Sequence, residues 1–160
     1  MTPIEAAVAL MLAWVPCNEA DTCIPKYTSI AEDTFAQAKV DPLPWPGLSQ
    51  SDRADRTAVL LLAIGSLESL YDESAVSSTG DHCLLQVHPL GKEDVSSRQG
   101  CLEAGLSRVH WSWISCHSSP SWLSPYTTGK CYQEQKHARI RQARGANGWA
   151  KFSALTKPKA

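Results

Sequence analysis

No stretch of this chain stays apolar long enough to span a bilayer, which takes about 20 residues. No lysine or arginine precedes the first apolar run, Ala6 to Val15, and Glu5 stands at its edge, so the start does not read as a secretory signal. There is no C-x-x-C pair and no cysteine–histidine spacing of a zinc site, so no metal or cofactor is expected. Internal repeats and low-complexity tracts are also missing. The formal net charge is −1 over 160 residues, which excludes a strong global field. That length suits one domain with enough chain for a real core.

Helix signals are present instead. Thr2-Pro3-Ile4-Glu5 reads as a capping box with proline in the first turn, and predicts a helix over Pro3 to Trp14. Pro16 to Pro25 reads as a loop, and Ser29-Ile30-Ala31-Glu32 as a second capping box opening a short helix to about Lys39. Three prolines in Asp41 to Gly47 rule out regular helix there and leave an ordered loop carrying Trp45. Leu102, Leu106, Val109 and Trp113 share one face of a helix over Cys101 to Ile114. Gly91 to Gln99 reads as polar loop, and His117 to Pro125 as loop rich in serine and proline. A polar helix over Tyr132 to Arg144 is expected to end at Gly145, Asn147 and Gly148.

The informative stretch is Ala58 to Pro89. Ala58 to Leu67 is almost wholly apolar, too continuous for a surface helix and too short for a membrane span. Asp52 or Asp55 is placed to cap its start. The run delivers one carboxylate, Glu68, to the C-terminal end of a buried helix. Apolar neighbours and the negative end of the helix dipole both oppose ionisation there, which raises the pKa as a general acid requires. The alternative is that Glu68 is the first exposed residue after a core helix.

The residues around Glu68 form a pattern. Glu68-Ser69 is followed by Tyr71-Asp72, Ala75-Val76-Ser77, Gly80 and Cys83-Leu84-Leu85-Gln86-Val87. Further on come Leu102-Glu103-Ala104-Gly105-Leu106-Ser107-Arg108-Val109 and Tyr126-Thr127-Thr128-Gly129. In order and spacing this resembles the goose-type lysozyme and soluble lytic transglycosylase family, over roughly Ala58 to Arg144. That family carries a Glu-Ser pair, an A-x-S-x-x-G turn, a Gly-Leu-Met-Gln segment and a Tyr-Asn-Ala-Gly segment.

The resemblance implies a mainly α, single-domain, lysozyme-like fold. Residues 1–50 would supply N-terminal helices and a Pro-rich loop packed on the domain. Residues 51–150 would form the catalytic core, and 151–160 a basic tail. It also implies a peptidoglycan-cleaving enzyme acting on MurNAc–GlcNAc linkages. Glu68 would be catalytic, donating a proton to the glycosidic oxygen. The MurNAc acetamido group would assist, and the 6-hydroxyl would close on the anomeric carbon to give a 1,6-anhydro end. Ser69, Gln86 and Tyr126 would bind substrate. Asp81 stands where goose-type lysozymes carry an acid held to activate water, so a muramidase outcome stays open; Asp72 and Glu73 are less well placed for that role. Trp111, Trp113 and Trp122 read as core aromatics before stacking platforms. His82 and His88 read as loop histidines.

Two departures stand out. Cys83 occupies a family glycine position, so the backbone there is expected to avoid conformations that only glycine tolerates. Tyr126 to Gly129 keeps only the ends of its motif. A non-catalytic cell-wall-binding or virion structural protein of the same fold is therefore a competing reading.

In the setting that the resemblance implies, the cysteines suggest disulfides. Six cysteines allow fifteen pairings, and the alternative is buried free thiols. Cys17–Cys23 is preferred, with Cys83, Cys101, Cys116 and Cys131 tying the catalytic segment to later helices. A helix between Cys101 and Cys116 would hold them ~20 Å apart, beyond the reach of about 7 Å of a disulfide. Beyond Gly129 the chain is basic: Lys130, Lys136, Arg139, Arg141, Arg144, Lys151, Lys157 and Lys159 stand against Glu134. This is either a solvated helix face with a loose tail or a grip for an anionic polymer. Peptidoglycan strands are the expected partner and nucleic acid is not. The expected setting is the bacterial cell wall, reached as a phage lysin or virion-associated protein.

Overall fold

Residues 1–89, 94–131 and 135–157 are described in a computed structural model. Part of the polar loop read over Gly91 to Gln99, the helix start read at Tyr132 and the basic Lys159 lie outside the described residues. The elements run α1 (Pro3–Trp14), α2 (Ala20–Val40), α3 (Gln50–Glu68), α4 (Arg98–Cys116), α5 (Ser124–Thr128) and α6 (Gln135–Thr156). The chain is mainly helical. Among the described residues, strand-type pairing is confined to isolated bridges, Val76 with His82 and His82 with Val87. No described helix is long and apolar enough to cross a membrane.

The core is built on α3. Its residues from Thr57 to Ser66 are all buried, and α1, α2 and α6 pack around it. Val59 and Ile64 each disfavour helix by a few tenths of a kcal/mol. Burial of each contributes about 1.5–3 kcal/mol, so packing decides the conformation. The helix starts earlier than the apolar run. Its cap is Ser49, which accepts from the Asp52 amide at 3.1 Å, rather than Asp52 or Asp55. Thr57 anchors the Pro-rich loop: its hydroxyl accepts from the Leu43 amide (3.0 Å) and Trp45 Nε1 (3.2 Å). Trp45, Trp113 and Trp122 meet edge to face, with ring centroids 4.9–6.0 Å apart.

At the N-terminus, α1 matches its sequence signals, with Thr2 and Glu5 forming the reciprocal capping box. The start of α2 does not. The helix begins at Ala20 and runs through Pro25, which forgoes one helical hydrogen bond early in the element. Ser29 therefore lies inside the helix and caps nothing; its hydroxyl accepts from Arg98 Nη1 at 2.6 Å. The Cys17–Cys23 disulfide closes over the start of α2. Cys83–Cys101 ties the segment after α3 to α4, and Cys116–Cys131 ties the end of α4 to the segment after α5. Cys101 and Cys116 sit on the same helix, as the distance argument requires.

The largest departure is α6. Gly145 and Gly148 do not end it; the helix continues to Thr156, and Phe152 is buried. A boundary at residues 150/151 thus falls inside a helix. Both glycines serve close packing. A Cβ on Gly145 would lie 2.7 Å from Leu60 Cδ1, and one on Gly148 2.6 Å from the Trp14 ring. Ala138, Arg141, Gly145, Gly148 and Phe152 form one buried stripe, at alternating spacings of three and four.

Candidate active site

After Glu68 the chain reverses in a tight turn. Leu70 and Tyr71 take left-handed backbone conformations (φ 55° and 61°), and the amides of Ser69 and Tyr71 both donate to the Gly65 carbonyl. The buried Tyr71 ring lies against Gly65 and its hydroxyl donates to the Leu62 carbonyl at 3.0 Å. This fixes where α3 stops, and so where Glu68 points. Cys83 and Gln86 are left-handed too (φ 67° and 48°). The expectation for Cys83 is therefore corrected. Its disulfide to Cys101 and its amide bond to the Ala75 carbonyl (3.0 Å) hold it in a region that glycine favours.

Glu68 opens onto a cleft of about 390 Å³. Asp81, Gln86 and Tyr126 line the same cleft. So do Ser77, His88 and Arg108; Ser77 and Arg108 stand in the sequence pattern without an assigned role, and His88 read as a loop histidine. Burial raises the Glu68 carboxyl above the ordinary glutamate range, and the nearby Asp81 charge pushes the same way. The Arg141 guanidinium opposes this by charge and hydrogen bonding. Arg141, from α6, donates from Nε to Glu68 Oε1, and its Nη2 lies in ion-pair contact with the same oxygen. Both side chains are close to buried, at 10 % and 15 % exposure for Arg141 and Glu68.

Asp81 is different. Partial burial would raise its carboxyl, but hydrogen bonds from Thr79 and Ser77 and the adjacent His88 outweigh that and hold it below the usual aspartate range. Oδ2 accepts from the Ser77 hydroxyl (2.7 Å) and the Thr79 hydroxyl (2.6 Å), and Oδ1 lies 3.4 Å from His88 Nδ1. One cleft thus holds one carboxyl biased towards its protonated form and one biased towards its ionised form, the division an acid–base pair needs.

The other expected residues sort by what their polar atoms already touch. Gln86 donates its amide to the carbonyls of Ala75 and Cys83 (both 2.9 Å), pinning the loop it belongs to. Tyr126 donates its hydroxyl to the Leu85 carbonyl at 2.7 Å rather than to Glu68. Burial raises that phenol, and the Glu68 charge adds to the effect. Ser69 is not in the cleft lining: its hydroxyl donates to the carbonyls of Leu84 (2.7 Å) and Gly65 (3.3 Å). Asp72 accepts from the Ser74 amide and hydroxyl within its own turn. Glu73 forms a two-oxygen ion pair with Arg98, at 2.5 and 2.8 Å, and Arg98 also reaches Asp33. Neither acid faces the cleft.

Sequence reading missed Arg141, which it grouped with a basic surface. The signal was its phase: it falls on the buried stripe of α6, four residues before Gly145. Other basic residues of this region also have partners, although Arg139 and Lys157 stay exposed. Arg144 donates to the Ser66 hydroxyl (2.9 Å), Arg139 to the Ser121 hydroxyl (3.0 Å), and Lys157 pairs with Asp52 (3.0 Å). Trp113 and Trp122 pack in the aromatic cluster, while Trp111 is exposed outside the cleft lining. Among the described residues no group of three His, Cys, Asp or Glu side chains is placed to hold a metal ion. Compared with protein-family models, with curated proteins and with solved structures, the chain matches none.

Proposed function

We propose that this chain has a lysozyme-like fold and cleaves the glycan strands of peptidoglycan as a lytic transglycosylase. The observation that carries the reading is Glu68, a largely buried carboxyl with a raised pKa on the wall of a cleft of about 390 Å³. Protonated Glu68 donates to the oxygen between MurNAc and GlcNAc. As a carboxylate it then accepts the proton of the MurNAc 6-hydroxyl, which closes to a 1,6-anhydro ring. Substrates that supply their own acetamido group to assist the leaving step can manage with one protein carboxylate. The setting is the bacterial cell wall, with a phage lysin or virion-associated enzyme as the biological form.

A second reading, hydrolysis by a muramidase, is favoured by Asp81. It shares the cleft and is held ionised, as a base for water must be. Digestion of purified peptidoglycan followed by mass spectrometry of the muropeptides decides between them. Anhydro ends support the transglycosylase, and reducing ends support the muramidase. No released fragment overturns both and leaves a binding protein.

A further inference from the structure

The Glu68–Arg141 contact is lopsided. Nε donates to one carboxylate oxygen, Oε1, and Nη2 lies in ion-pair contact with that same oxygen. Among the described residues no hydrogen bond to Oε2 accompanies them. Arg141 is a buried residue, and its Nη1 is buried with no hydrogen-bond partner. A guanidinium is rigid and planar, so this contact fixes the position of Oε1 and leaves Oε2 as the oxygen turned away from Arg141. Arg141 is in turn fixed by the seat of α6, where Gly145 closes on Leu60.

We propose that Arg141 is a positioning residue for Glu68: it ties Oε1 so that Oε2 is the oxygen that carries and delivers the proton. This rests on the proposed glycan cleavage. In the first step the Oε2 proton passes to the glycosidic oxygen, which leaves with the electron pair of its bond to the anomeric carbon. Glu68 is then a carboxylate, the form that Arg141 binds best, so the contact strengthens as the proton departs. In the second step the attacking hydroxyl bonds to the anomeric carbon and returns its proton to Oε2. Atoms and charge balance without another reactant.

The charges that bear on Glu68 come from several elements. Arg141 and His137 belong to α6, and Asp81 to the loop after α3. Tyr126 of α5 and Arg108 of α4 line the same cleft. Arg141 donates a hydrogen bond to the Glu68 carboxyl.

The test pairs a direct titration with kinetics. The Glu68 carboxyl carbon is followed by 13C NMR against pH in the full-length protein, assigned by its loss in Glu68→Gln. In Arg141→Gln the midpoint should move to higher pH. The alkaline limb of the activity profile should move with it, and maximal turnover should fall roughly 10- to 100-fold. Arg141→Lys keeps the charge and guards against a Gln variant that fails to fold. It should restore the midpoint in part but leave turnover low, because an ammonium lacks the planar fork. A midpoint unmoved in both folded variants overturns the inference, and so does full turnover in the Lys variant. A wild-type protein that cleaves no glycan while its Glu68 midpoint still responds to Arg141 overturns the proposed function instead.

Discussion

Gly105 of α4 faces Leu85 so closely that a Cβ built on it would lie 2.2 Å from Leu85 Cδ1 and 3.3 Å from Leu85 Cβ. Leu85 is the residue whose carbonyl receives the Tyr126 hydroxyl, and Gln86 follows it into the cleft wall. Gly105→Ala must therefore push the Leu84–Gln86 turn. Overpacking of this kind costs about 1–3 kcal/mol. Urea denaturation should show a lower midpoint with an unchanged slope, and glycan cleavage should fall in the same variant.

Glu68→Gln should abolish muropeptide release. The thermal midpoint should change little: a carboxyl whose pKa is raised in the fold already favours its neutral form there, and the amide mimics that form while still accepting from Arg141. A drop of several degrees would show instead that the ionised pair holds the fold together.

Ser69→Ala separates support from recognition. The hydroxyl holds the Leu84 carbonyl at 2.7 Å and does not line the cleft. Its loss should cost about 1 kcal/mol of stability. If that is its role, KM for soluble glycan fragments stays within about 2-fold of wild type; a large KM increase without a stability change would return Ser69 to the substrate-binding set.

The two cleft carboxyls set opposite pH limits. Glu68 must be protonated to donate, and its pKa is raised from 4.5, so the rate falls as pH climbs through that raised value. Asp81 must be ionised to act on water, and its pKa is lowered from 3.8, so hydrolysis fades as pH falls through that lowered value. Stability follows the same signs. The contribution of Glu68 is complete below about 4.5 and is lost as pH rises through its folded value. That of Asp81 is present above about 3.8 and is lost as pH falls through its folded value. The kcat/KM profile of Asp81→Asn checks this: loss of the acid limb fits hydrolysis, and an unchanged profile confines Asp81 to its turn.

Local chemistry was the legible part. Thr2, Pro3 and Glu5 announce α1 because a capping box needs only four neighbouring residues. Ala58 to Leu67 announces the core helix because its apolar run is continuous. Long-range compensation was not legible. Pro25 looks like a loop residue until α2 is seen to accommodate it, and Gly145 looks like a stop until Leu60 is found against it. Cys83 looks unable to replace glycine, because its disulfide partner lies 18 residues away. The Glu68 end of the site was readable from its neighbours. Arg141, 73 residues further on, was not, since an arginine in a basic run carries no local mark of burial.

The missing side chain at Gly145 acts as a spacer gauge for the whole site. Arg141 and Gly145 stand about one turn apart on the same face of α6, so the clearance between α6 and Leu60 also sets how far the guanidinium extends towards Glu68. One added methyl would press on the Leu60 Cδ1 tip, and whatever that side chain cannot absorb by turning would shift α6 and the Arg141 it carries. Lost activity in Gly145→Ala would then map to a position that meets no substrate, and a screen for inactive variants would register the thickness of a helix seam as though it were chemistry.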